Sequence, residues 1–287
     1  MLARLFVYLQ YVLPRYWMTA LIHRVARISA VRFKNLLITR FVRLYRVDTG
    51  DVKLDIPDGF PTFNDFFIRE LAAGARPIDT SANALVSPVD GTVSQAGPIR
   101  SNLVMQAKGH DYSLEDLLAT DLKDADAYLD GAFATIYLAP YNYHRVHAPI
   151  AGELLAMRYV PGELFSVNTA TAAAVPGLFR RNERLIMHFR TAAGPAVLIM
   201  VGALNVGSIT TPWSGEIRPR KTGDVAIIGT GGAPLQVDKG DLLGWFNMGS
   251  TVILLFPKGA CEWYDELAPG QDVVMGRPIA TLADNAS

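Results

Sequence analysis

One short pattern recurs three times and constrains the fold more than any other feature. It reads Pro88-Val89-Asp90-Gly91-Thr92-Val93, Pro149-Ile150-Ala151-Gly152-Glu153-Leu154 and Pro212-Trp213-Ser214-Gly215-Glu216-Ile217. Each copy is Pro-x-x-Gly-x followed by an aliphatic residue. Proline fixes φ for a turn, and glycine is expected to adopt a backbone conformation that other residues resist. Apolar runs at 133–138, 185–189, 196–201 and 251–257 flank the turns, and Thr251 to Phe256 is β-branched and aliphatic, as in a buried strand. Lys239-Gly240-Asp241 supplies another turn ahead of a strand. Residues 191–215 carry no charge, but Gly194, Pro195, Gly202, Gly207, Pro212 and Gly215 break that stretch into strands and turns rather than a membrane helix. Ser113 is placed to cap a short helix over 113–119. The expected class is α+β, with a mainly antiparallel β core and helices at the front.

The front is chemically distinct. Residues 1–47 hold nine Lys/Arg and no carboxylate, although the whole chain of 287 residues is neutral, with 27 bases and 27 acids. A basic head on an acidic body points to an anionic partner for the head alone and argues against a nucleic-acid binder. Leu2, Leu5, Phe6, Leu9, Val12 and Leu13 recur at helical spacing until Pro14 interrupts. Trp17, Leu21, Val25 and Ile28 make a second stripe, and Phe33, Leu36, Leu37, Phe41 and Leu44 a third. No uncharged run in the head reaches the roughly 20 residues needed to cross a bilayer. Arg-rich helices with aromatic and aliphatic faces lie in the interface instead, where each base near an anionic leaflet adds about 1 kcal/mol. The expected division is 1–47 as a peripheral membrane-association segment and 48–287 as a catalytic domain. Packing of the head on its own body and a transit peptide are the competing readings. The lone Cys261 forms no internal disulfide and reads as a small apolar residue.

The candidate chemistry sits in Phe246-Asn247-Met248-Gly249-Ser250-Thr251, just ahead of the apolar strand. Glycine before Ser250 leaves the preceding carbonyl open to the serine oxygen. Attack there exchanges an amide for an ester, and β-elimination followed by hydrolysis turns Ser250 into a terminal pyruvoyl group. Such steps need a base and an oriented imidazole. Tyr143-His144-Arg145-Val146-His147 supplies two histidines before one Pro-x-x-Gly turn, and Asp90 lies inside another. Asp90 could hold an imidazole in the tautomer that accepts the Ser250 proton. Taken singly, each has an ordinary reading: turn chemistry for Asp90, packing or part of a metal site for the histidines.

The turns resemble the lipoyl- and biotinyl-like β-sandwich pattern. Seven ordered blocks carry a more specific likeness: Phe63–Leu71, Ser87–Gly91, Tyr143–Pro149, Pro161–Asn168, Asn182–Arg184, Val206–Ile209 and Gly249–Thr251. Together they resemble the phosphatidylserine decarboxylase proenzymes of the bacterial type. In that family the residue before Gly-Ser-Thr is usually leucine, and Met248 is a swap of similar volume. The resemblance implies that Asp90, His147 and Ser250 form the self-cleavage triad. Cleavage between Gly249 and Ser250 then yields a β chain, 1–249, and an α chain, 250–287, tipped by a pyruvoyl cofactor that accepts the substrate amine. It also implies phosphatidylserine as substrate and, if the chain is bacterial, the cytoplasmic face of the inner membrane; a homodimer is left open. His144, on the same segment as His147, is the expected acid that protonates the decarboxylated carbon. Phe165, Val167 and Val175 are expected to line an acyl entrance, with Asn168 as a polar handle and Arg180, Arg181 and Arg184 near the lipid phosphate.

Three other classes compete with this one. A membrane-anchored zinc endopeptidase would use His144 and His147 as ligands, yet no His-x-His pair exists, and no metal is expected. A lipoyl-like carrier would modify Lys239 and leave Ser250 uncut. A serine hydrolase using Ser250, His147 and Asp90 would need a Gly-x-Ser-x-Gly elbow that the chain lacks.

Overall fold

The computed structural model describes residues 2–107, 110–120, 122–205, 207–229 and 233–283, with the side chains of 2–5, 122 and 123 outside that description. Val206, Leu2 and Leu5 of the sequence patterns, and the last four residues of segment 250–287, therefore lie outside the described atoms.

The chain begins with three helices, α1 (Leu2–Val12), α2 (Arg15–Ala26) and α3 (Val31–Tyr45). Pro14 separates the first two, as its missing N–H and fixed φ require. A cis Ile56-Pro57 bond and the short α4 (Phe63–Phe67) lead into the sheets. Thr62 caps α4 by accepting from the Asp65 N–H. Ser113 does the same for Leu114–Leu118, as expected from its position.

The body is mixed α/β with antiparallel sheets. Among the described residues the largest has nine strands, running Ala226–Ile228, Gly152–Val160, Arg184–Thr191, Gly194–Val201, Ser250–Phe256, Ala132–Leu138, Gly91–Pro98 and Asp272–Val273, with Leu235–Val237 also on the Gly152–Val160 strand. A four-stranded sheet orders Gly215–Ile217, Ile209–Thr211, Leu242–Phe246 and Arg145–His147. Ser250–Phe256 is a central strand, pairing Ser250 with Leu138 and Thr251 with both Tyr137 and Val201. All seven of its residues are buried. Burial on both faces explains a continuous apolar run where a half-exposed strand would alternate.

Each glycine of the recurring turn opens a strand, at Gly91, Gly152 and Gly215. The reason differs from the expectation at two of them. Only Gly215 has a left-handed φ, +69°. At Gly91 and Gly152 an added Cβ would lie 2.6 Å from the carbonyl oxygens of Tyr137 and Arg190, so close approach excludes a side chain there.

The head rests on the body by one edge. Ser166 N–H donates to Gln10 Oε1 at 2.7 Å, Arg15 pairs with Glu163, and His23 and Arg27 reach Glu216 at 2.8 and 2.9 Å. Phe41 of α3 packs edge-on against Phe63, Phe66 and Phe67 of α4, which makes Phe63–Leu71 both joint and core. The opposite faces are bare: Trp17 is 81% exposed, Val12 77%, Leu44 75% and Leu21 62%. No described helix is long and apolar enough to cross a membrane.

Candidate functional site

Ser250 enters the central sheet from a distorted loop. Met248 has φ +99° and Gly249 φ +53°. Glycine takes this region freely, but for a residue with a side chain it costs about 1–2 kcal/mol. Packing and hydrogen bonds hold the loop there. Met248 sits against the cluster of Ala26, Ile38, Phe63, Phe66 and Phe67. Asn247 is buried and donates to Ser208 Oγ at 2.7 Å and Thr210 Oγ1 at 2.8 Å. The Ser250 hydroxyl is buried with no hydrogen-bond partner among the described residues. A hydroxyl left unsatisfied inside a protein raises the energy of the state that contains it and is freed for chemistry.

The two histidines have different environments. His147 lies on the edge strand Arg145–His147, with its Nδ1 2.7 Å from the Gly240 carbonyl. A carbonyl only accepts, so Nδ1 carries the proton and Nε2 has the lone pair, which receives the Tyr143 hydroxyl at 3.1 Å. Burial pushes His147 below the ordinary imidazole value, partly offset by the Gly240 hydrogen bond. His144 is wholly buried and stacks on Phe67 with ring centres 4.1 Å apart. Its Nε2 faces the Pro140 carbonyl at 3.4 Å, and its Nδ1 has no partner among the described residues. Burial, with the nearby Arg69 cation second, lowers it to about 3, so it is neutral at pH 7. His144 and Ser250 share one end of the Ala132–Leu138 strand: Ser250 pairs with Leu138, and His144 points at Pro140 two residues on.

Asp90 requires a correction. Its carboxylate accepts from Arg76 Nε at 3.0 Å, Arg76 Nη2 at 2.7 Å and the Met275 N–H at 2.9 Å. It does not hydrogen-bond His147; the Gly240 carbonyl takes the orienting place expected of Asp90. Asp90 still acts on that imidazole through space, as one of the charges favouring its protonated form.

The expected substrate wall also rearranges. Arg184 is buried, and its guanidinium donates to the carbonyls of Asp116, Leu117, Arg180 and Asn182, so it braces backbone instead of meeting a lipid phosphate. Phe165 is buried beneath α1 and α2, with Tyr11 tilted against it and the Arg15 guanidinium 3.9 Å over its ring. Asn168 caps a helical turn by accepting from the Thr171 N–H at 2.9 Å. Arg180 pairs with Asp116 at 3.3 Å, and Arg181 stacks over Phe165. An apolar groove lies elsewhere. A groove of about 400 Å³ between α2 and α3, lined by Leu21, Val25, Leu37, Phe41, Phe63 and Met248, opens beside the loop.

Sequence reasoning gave no role to Tyr143, Arg76 or Asn247. Tyr143 stands inside the same motif as the two histidines; nothing local marks the other two. Among the described residues no three His, Cys, Asp or Glu side chains could hold a metal ion. Lys239 donates to the carbonyls of Ser81 and Ala84, tying down a turn, whereas a carrier lysine must reach out.

Comparison with known proteins gives a consistent picture. A family model described as phosphatidylserine decarboxylase matches residues 63–281, and a second, described as PSD, matches 5–46. The chain is 46% identical over 284 residues to a phosphatidylserine decarboxylase proenzyme of Alcanivorax borkumensis, covering 98% of each chain. It is 44% identical over 278 residues to the protein of that name from Methylococcus capsulatus, covering 97% of this chain and 96% of the relative. Against that of Saccharophagus degradans it is 43% identical over 282 residues, covering 98% and 99%.

Proposed function

As the chain belongs to the phosphatidylserine decarboxylase family, we propose that it is made as a precursor, cuts itself between Gly249 and Ser250, and then converts phosphatidylserine to phosphatidylethanolamine at a membrane surface. One observation carries the site assignment: a buried serine hydroxyl, without a hydrogen-bond partner among the described residues, directly follows two residues held at left-handed φ.

The steps use this chain's own groups. Ser250 Oγ adds to the Gly249 carbonyl carbon while His147 Nε2 takes the hydroxyl proton. The C–N bond breaks, the proton passes to the freed Ser250 amine, and an ester joins the two halves. A base then removes the Ser250 α-proton, the Cβ–O bond breaks, and Gly249 leaves as a carboxylate. The remaining enamine tautomerises, and water replaces its nitrogen as ammonia, leaving a keto group on residue 250. Arg76 neutralises Asp90, so that carboxylate tempers His147 without fully charging it. The residues present suit a self-made group, because the reacting hydroxyl of Ser250 is buried and has no hydrogen-bond partner among the described residues, and burial keeps the imidazoles of His144 and His147 neutral.

The pyruvoyl group supplies the electron sink that decarboxylation requires. His144 then delivers a proton to the substrate α-carbon. Its depressed affinity means that it must first be charged, and the anionic headgroup of an entering lipid favours that charge. Residues 1–47 serve as the peripheral membrane segment and 48–287 as the catalytic domain. Exposed Trp17, Leu21 and Leu44 enter the interface, and the groove ending at Met248 offers an acyl chain a path towards the cut. The matured α and β chains stay together through the paired Ser250–Phe256 strand. The three turns, each opening a strand, are read as lipoyl-like repeats.

Denaturing gels test the reading. Wild-type protein is expected as a large and a small chain, and Ser250→Ala as one intact chain. A Ser250→Ala protein that still splits at this bond refutes the assignment of the nucleophile.

A further inference from the structure

Resting on the reading that Gly249–Ser250 is cut, we propose that Asn247 is a positioning residue for the scissile peptide, and that Ser208 and Glu216 tie it to helix α2. Asn247 is 2% exposed and all its hydrogen-bonding groups are engaged. Its Nδ2 donates to Ser208 Oγ and Thr210 Oγ1. Its Oδ1 accepts from Asn64 Nδ2 of α4 at 3.1 Å. Its backbone N–H donates to the Ser208 carbonyl at 3.0 Å, and its own carbonyl accepts from the Gly207 N–H at 2.9 Å. The next two residues are the ones with left-handed φ.

The network continues outwards. Ser208 Oγ donates to Glu216 Oε1 at 2.5 Å, and the same oxygen takes His23 Nε2 and Arg27 Nη2 from α2. α2 also presses on this strap directly, since an added Cβ on Gly207 would lie 2.6 Å from His23 Cδ2. A continuous path thus runs from α2 through Glu216, Ser208 and Asn247 to the bond that breaks. Its chemical use follows from the first step. The distance between Ser250 Oγ and the Gly249 carbonyl carbon is set by the dihedral angles of the loop, and a shift of about 1 Å from attack geometry costs about a hundredfold in rate. A methionine held at unfavourable φ relaxes unless the residue before it is fixed.

The test follows cleavage of newly synthesised full-length chain on denaturing gels, below the melting temperature of each variant. Asn247→Ala is expected to slow cleavage at least about tenfold, equivalent to about 1.4 kcal/mol. Ser208→Ala is expected to slow it as well, and Ser208→Thr, which keeps the hydroxyl, to recover most of the rate. Glu216→Gln keeps an acceptor for Ser208 but loses the charge facing His23 and Arg27, and is expected to fall between. Hydroxylamine cleaves accumulated ester, so it should not release chains from the slow precursors, whose defect precedes ester formation. Asn247→Ala cutting at the wild-type rate overturns the proposal. So does Ser208→Thr remaining as slow as Ser208→Ala, which marks a packing role, and this pair decides the matter if Asn247→Ala fails to fold. A wild-type chain that never cuts instead removes the functional reading beneath it.

Discussion

Two adjacent stretches of this chain are built on opposite terms. Ser250–Phe256 has seven buried residues, five of them, Thr251 to Leu255, paired on both sides, and none has a left-handed φ. The three residues before it include two at left-handed φ; the Met248 side chain rests on the helices of the head and that of Asn247 on Ser208 and Thr210. The strand supplies rigidity and the loop supplies distortion, and the proposed cut falls at the junction. A serine placed within the strand would be immobile but unstrained; one placed within the loop would be strained but free to move away from its target. Placing it at the first strand position fixes the nucleophile while the carbonyl it attacks is held out of shape.

The division of labour can be broken by substitution. The largest effect is expected for His147→Ala, which should block maturation, whereas His144→Ala should mature and lose decarboxylation; a His144→Ala chain that stays intact would move His144 to the loop's own chemistry. The accompanying pH dependence has a definite sign. An imidazole must be neutral to accept a proton, and burial lowers His147, so the cleavage rate should hold steady as pH falls through the ordinary imidazole value of about 6.5 and decline only below it. A midpoint at that value in a rate profile would contradict the buried setting.

Next in size is a contrast between neighbours. Leu254→Ala removes a fully buried side chain from the strand, with an expected loss of about 2–5 kcal/mol in denaturant unfolding of a Ser250→Ala background. Gly249→Ala meets open space, so its cost is the left-handed φ alone, about 1 kcal/mol, read as a several-fold slower cut with little change in melting temperature. If the two variants exchanged these signatures, the comparison would fail. The smallest effect on stability is expected from Trp17→Ala with Leu21→Ala, whose side chains face away from the core. Vesicle co-sedimentation should weaken by about tenfold while the melting temperature stays put. Unchanged sedimentation would detach the head from membrane docking.

The strand was legible in the sequence because an unbroken aliphatic run has few other uses, and the helices of the head because Pro14 and the apolar spacing mark them. The two histidines and Ser250 were legible as chemistry. Their arrangement was not. The group that orients His147 is the Gly240 carbonyl, and a backbone oxygen leaves no trace in residue identity. Met248 gives no local hint of a left-handed φ, because the loop is held by contacts from Phe63, Asn64 and Ser208, distant in sequence. Arg184, Phe165 and Asn168 were misplaced for a related reason: α1, α2 and the Asp116–Leu117 carbonyls cover that segment, and which surface a helix covers is decided by tertiary packing.

Intact-mass spectrometry of the purified wild-type protein, with and without borohydride, tests the central claim most directly. Two chains should appear, with the shorter beginning at residue 250, lighter by one ammonia than plain hydrolysis would leave and gaining two hydrogens on reduction. A single unbroken chain, or a shorter chain that keeps its serine nitrogen and ignores borohydride, would contradict it.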